Sequence, residues 1–211
     1  MTTRTFFLGS PATLPALFSD SSPLMLPPGS DVVILPTAAA FTGATEAAVA
    51  TSAAIEQAGH VVEALMVTDR ASANEPYFAQ RARDAAAIVV TDGSALHARS
   101  TWRETPLGDA LREASVLVVV GETVTVFGEH MIDPRGGAPT TGLNYRPGAV
   151  VTTRTSADQQ QRTRDLLGHD EVLIELGPLG IVANDNGEWL ALSSTDVHAS
   201  RAGVDVPLSS R

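Results

Sequence analysis

The 211-residue chain is 44% hydrophobic and 18% charged, a globular balance that excludes a disordered chain, and it is long enough to bury a core without disulfides or a structural metal. It has no cysteine, which excludes disulfide scaffolds, zinc–thiolate sites, iron–sulfur clusters and a Cys nucleophile. Its 14 Lys and Arg against 24 Asp and Glu leave a net charge of −10, which argues against nucleic acid and anionic membrane as partners, because phosphates must be met by basic residues.

No apolar run reaches the roughly 18 residues of a membrane span. The first 18 residues hold one Arg and a short, broken apolar run, a weak signal-peptide pattern with no convincing cleavage site after it. The expectation is a soluble, cytoplasmic protein. One α/β domain is expected over 1–211, with the short N-terminal segment and the polar C-terminal tail at its periphery. Local mobility is expected in the loop 20–29 and in the tail.

Residues 32–35, 61–67, 87–90 and 116–120 form short, nearly continuous β-branched runs bounded by turn residues. Strands buried on both faces of a parallel sheet have this pattern. The segment 45–59 between the first two is rich in Ala, Glu and Gln and ends at Gly59, so it predicts a helix with a glycine stop. Residues 77–86 follow Asn74-Glu75-Pro76, a helix start, and Thr105-Pro106-Leu107 opens another helix through Arg112. Strands alternating with helices of about ten residues imply right-handed crossovers and a doubly wound, mainly parallel sheet.

Residues 133–139 and 145–148 are loop chemistry. Strands are expected over 150–155, 171–174, 179–183 and 189–192, and a helix over 157–167. Asp185-Asn186-Gly187 predicts a tight hairpin, because Asn-Gly tolerates the positive φ values of a primed turn. Residues 202–211 read as a strand followed by a frayed polar end. The chain has no internal repeat, no phosphate-binding loop and no dinucleotide fingerprint, so no cofactor is indicated; no metal-ligand spacing is present either.

Ligands of open α/β sheets gather beyond the carboxyl ends of the strands. After Val90 comes Thr91-Asp92-Gly93-Ser94, then Thr105-Pro106-Leu107; after Val120 comes Gly121-Glu122-Thr123-Val124-Thr125; Gly142-Leu143 and Arg162-Thr163-Arg164 follow. This order, spread over about 31–189, resembles the dipeptidase E and cyanophycinase family, serine hydrolases with a class I glutamine-amidotransferase-like fold. The resemblance implies a flavodoxin-like three-layer sandwich. It also implies a nucleophile at Thr123, or at Glu122 if the register slips by one residue.

Departures from that pattern accompany the resemblance. The family's small residues after the nucleophile are Val124 and Thr125 here, and β-branched side chains oppose a strained strand-to-helix elbow. The family's catalytic His aligns with Arg154, and no His lies between His130 and His169. A hydroxyl is a weak nucleophile without a base in reach. Asp92 replaces the first glycine of the oxyanion loop, where a carboxylate would repel a developing oxyanion. The expected function is therefore a catalytically degenerate peptidase-like protein, a pseudoenzyme or binder of a small molecule or peptide.

Two other readings stand beside it. In a repurposed enzyme, Asp92 and Glu122 would share a proton or bind a hard metal, with Thr123 as nucleophile and His130 as a replacement base. A structural or interaction homodimer is the third, cyclic dimers being the commonest soluble assembly. The candidate catalytic residues are thus Thr123, Glu122 and His130, and the candidate ligand-binding residues are Asp92, Gly93, Ser94 and Arg135, the last as a bidentate carboxylate clamp. Arg154 is a similar candidate. His97 and Glu175 read as packing or loop-fixing residues.

Overall fold

The computed structural model describes residues 3–19, 23–193 and 196–210. Asp20, Ser21 and Ser22, the first part of the loop expected to be mobile, and Arg211 lie outside the described residues. In chain order the strands are β1 (Arg4–Leu8), β2 (Asp31–Leu35), β3 (Val61–Ala64), β4 (Ala87–Val90), β5 (Val116–Val120), β6 (His130–Ile132), β7 (Pro139–Thr141), β8 (Ala149–Thr153), β9 (Val172–Leu176), β10 (Ile181–Asp185), β11 (Glu188–Ala191), β12 (Val197–Arg201), β13 (Val204–Asp205) and β14 (Ser209–Ser210). The helices are α1 (Leu14–Leu17), α2 (Ala44–Gln57), α3 (Arg70–Ala73), α4 (Pro76–Asp84), α5 (Ala95–Trp102), α6 (Pro106–Glu113) and α7 (Ala157–Leu166).

The main sheet has eight strands in the order β14-β11-β10-β1-β5-β4-β2-β3. Strands β1, β5, β4, β2 and β3 are parallel; β10 pairs antiparallel with β1, and β11 antiparallel with β10. The four apolar runs of the sequence are β2 to β5, with β4 and β5 buried throughout. Strand β3 stops at Ala64, short of the expected residue 67, where the Val67 N–H turns back to the Leu65 carbonyl. The architecture is α/β, a doubly wound, mainly parallel sheet.

The N-terminal segment is not peripheral. Strand β1 lies in the middle of the sheet, between β10 and β5, with Phe6, Phe7 and Leu8 buried. Five residues carry too little periodicity to distinguish a buried strand from any other apolar segment; the pairing on both edges decides it. Phe6 and Leu8 face α1 and α2 across Leu14, Leu17 and Ile55, whereas Phe7 faces the opposite core with Trp102, Leu111 and Phe127.

A second sheet, β13-β12-β9-β8, packs on that opposite core through Ala149, Val151, Val172 and Ile174. Helix α7 contributes Leu167 at its end to the outer face, against Val150 and Leu173. Strand β12 has no counterpart among the expected elements, and the tail does not run free: Ser209 pairs with Leu190 on the edge of the main sheet. The Asn186-Gly187 turn forms as expected, with both residues at positive φ (51° and 92°). Thr105 and Ser94 cap α6 and α5 by accepting the N–H groups of Gly108 and His97. Among the described residues no helix is long and apolar enough to cross a membrane.

Candidate functional site

Strands β4 and β5 are parallel neighbours, so the loops after Val90 and Val120 emerge side by side at the carboxyl edge of the sheet. The second loop turns at once into a 3-10 helix, Gly121–Phe127. The corner residue is Gly121, at φ +63°, and no residue from Glu122 to Phe127 has a positive φ. The strand-to-helix turn therefore forms despite Val124 and Thr125, because the left-handed conformation falls on a glycine before them. Thr123, the expected nucleophile position, does not sit at this corner: its φ is not positive. The signal is present in the sequence: a single glycine closes a run of five β-strand residues.

Asp92 sits directly over this corner. One of its oxygens, Oδ1, accepts two backbone N–H groups, from Gly93 at 2.7 Å and from Glu122 at 2.8 Å. A Cβ on Gly121 would fall on the Asp92 carboxylate. Gly93 is equally constrained: at φ +147° it lies against the Ala38–Ala39 backbone, and the next N–H, that of Ser94, donates to the Ala38 carbonyl at 2.7 Å.

The Glu122 carboxyl is held above its ordinary range, first by burial and then by the negative charge of Asp92. It lines a small cleft, open to solvent, with Thr125, Asp133, Thr152, Thr153 and Gln159 among the other walls. Of these only Glu122 is a candidate from the sequence. The others come from the 3-10 helix, the loop after β6, the end of β8 and α7, and no local motif links them.

Thr123 does not enter the cleft. It is fully buried and its Oγ1 donates to the Thr91 carbonyl at 3.0 Å. His130 is not brought to Glu122 or Thr123 either. It begins β6 and its Nδ1 pairs with Glu171 at 2.8 Å, just before β9, whereas the cleft lies at the other, carboxyl end of the paired strand β8. The constellation Asp92–Glu122–Thr123–His130 thus reduces to Asp92 and Glu122. Among the described residues no group of three or more His, Asp and Glu is placed to hold a metal ion.

The remaining candidates have structural partners. The Ser94 hydroxyl caps α5. Arg135 is exposed in a turn whose Asp133 accepts its backbone N–H, and its side chain is not a wall of the cleft. Arg154 reaches Asp196 at 3.0 Å. His97 Nε2 meets the Thr68 carbonyl at 2.8 Å. Glu175, 1% exposed, accepts from Arg164 at 2.5 Å and lies 3.1 Å from His198, so side chains rather than loop N–H groups hold it.

The sheet order, the helices on its faces and the strand-to-helix corner define a peptidase E-like α/β fold. Two solved structures share it. A peptidase from an acI-B1 Actinobacterium matches with a TM-score of 0.78 and 18% identity, over 100% of this chain and 95% of that one. A candidate Peptidase E from Listeria monocytogenes EGD-e matches with a TM-score of 0.64 and 14% identity, over 95% of this chain and 99% of that one. At such identities the likeness is one of fold. No protein-family model matches the chain, and no curated protein does.

Proposed function

We propose that this chain is a catalytically degenerate peptidase-like protein, whose crevice binds a small polar ligand instead of cutting an amide bond. A nucleophile elbow needs a side chain at the corner, and an oxyanion hole built from the N–H of the next residue plus an N–H from a neighbouring loop. Here the corner is Gly121, which has no side chain. The two N–H groups in the corresponding places, those of Glu122 and Gly93, both donate to Asp92 Oδ1. That double acceptance carries the reading: a resident carboxylate oxygen takes the donors an oxyanion would need. The ligand chemistry follows from the walls of the cleft. Two carboxylates, Glu122 and Asp133, with four threonines and Gln159, suit a small cationic, hydroxyl- or amide-bearing molecule.

The test is hydrolysis of aspartyl dipeptides and of an activated ester by the purified protein. Turnover at the level of buffer is expected. Turnover that disappears in Thr123→Ala would overturn the proposal. One observation favours a second reading, acid–base chemistry on the carboxylate pair: Glu122 is held protonated to higher pH by burial and by Asp92. On that reading a hydrolytic activity exists and is lost in Glu122→Gln while Thr123→Ala keeps it.

A further inference from the structure

At the amino-terminal end of β1, far from the cleft, lies a second polar feature. Arg146 is 5% exposed. Its Nε donates to Thr5 Oγ1 at 2.5 Å and its Nη1 to the carbonyls of Tyr145 and Arg112 at 2.7 and 3.2 Å, while Nη2 has no acceptor. Burial lowers its pKa to about 10, so it still carries its charge at neutral pH, and no carboxylate shares in that shift.

Thr5 is the cross-strand partner of Asn184 on β10, and Asn184 is the partner of Trp189 on β11. The Asn184 Oδ1 accepts the Gly187 N–H at 3.2 Å, which fixes the orientation of the amide and leaves its buried Nδ2 without an acceptor. The Trp189 ring stacks on Phe7 of β1 at 5.5 Å, so the indole reaches across β10 towards the strand that Arg146 touches. Its buried Nε1 also has no acceptor, and it faces the turn at Gly148. Phe7 and Thr5 lie on the same face of β1, two residues apart.

We infer that Arg146 Nη2, Asn184 Nδ2 and Trp189 Nε1 form a binding site for a small inorganic monovalent anion of the chloride class, enclosed between the main sheet and the 145–148 turn. All three groups are donors and one is cationic. A water molecule offers acceptors but no charge, so the guanidinium would stay uncompensated in a low-dielectric setting. A halide accepts from several donors at once and supplies the missing charge. Gly148, beside Trp189 Nε1, is exposed, so the site lies close to solvent.

The test has two arms. Crystals grown in bromide should show an anomalous peak within hydrogen-bond reach of Arg146 Nη2 and Trp189 Nε1. In solution, sodium chloride should raise the Tm saturably over sodium gluconate at matched ionic strength. Trp189→Phe, which keeps the ring and removes one donor, should move the chloride midpoint upward about tenfold, the worth of one charge-assisted hydrogen bond. Arg146→Met should abolish the chloride effect; if that variant fails to fold, the Trp189→Phe shift still decides. An ordered water in place of bromide, an unchanged midpoint in Trp189→Phe, or a peak without any chloride-dependent Tm (an adventitious ion only) would overturn the inference.

Discussion

Asp92 and Gly121 compete for one volume: the carboxylate occupies the space in which any side chain at residue 121 would begin. The glycine at the corner and the acid beside it are thus a matched pair. Restoring a nucleophile at this corner requires both positions to change.

Gly121→Ser should destabilise the protein by about 1–2 kcal/mol through the left-handed φ alone, and by more through the clash with Asp92. Adding Asp92→Gly removes the clash but not the φ cost. Thermal or denaturant unfolding of both single variants and the double variant should therefore show a favourable coupling, on the order of 0.5–3 kcal/mol. Strict additivity would mean that the two side chains do not meet.

The Glu122 carboxyl has a raised pKa, so the folded state binds its proton more tightly than the unfolded state does. Its stabilising contribution is present below the unfolded value, near 4.5, and is lost as the pH rises through the folded value. Glu122→Gln should therefore raise the Tm slightly at pH 7, and the difference should vanish near pH 4. Because Glu122 is only partly withdrawn from solvent, the effect is small. A Tm gain that grows on acidification would contradict the sign.

Glu175 is a buried carboxylate held by Arg164 and His198. Arg164→Met should cost about 3–5 kcal/mol, because it leaves much of a buried charge uncompensated. Glu175→Leu introduced together with Arg164→Met should recover a large part of the loss, a comparison made by urea unfolding at pH 7.

Phe7 is fully buried and contacts Trp189 and Phe127 through its ring. Phe7→Ala should cost about 3–5 kcal/mol, as for other buried aromatic truncations. A loss below about 1 kcal/mol would place the N-terminal strand outside the core.

Much of the scaffold is legible from local pattern. Continuous Val and Ile runs identify strands covered on both faces, Asn74-Glu75-Pro76 and Thr105-Pro106-Leu107 mark helix starts, and Asn186-Gly187 marks a hairpin. Each of these signals depends on neighbours within a few residues, so sequence order alone carries it. That β4 and β5 are neighbours, and so that Asp92 meets the Glu122 N–H, is set by the sheet order of the folded chain.

Tertiary structure alone decides the rest. The place of β1 at the centre of the sheet depends on partners more than 100 residues away, Val116–Val120 and Ile181–Asp185. Whether a hydroxyl faces a cleft or donates to a carbonyl 32 residues distant, as Thr123 does, has no sequence signature. The burial of Arg146 has none either, since arginine is ordinarily a surface residue. Composition and periodicity determine which segments seek a core. Which N–H a carboxylate takes, and which charge is left without a partner, depends on long-range register, and only the folded chain sets that.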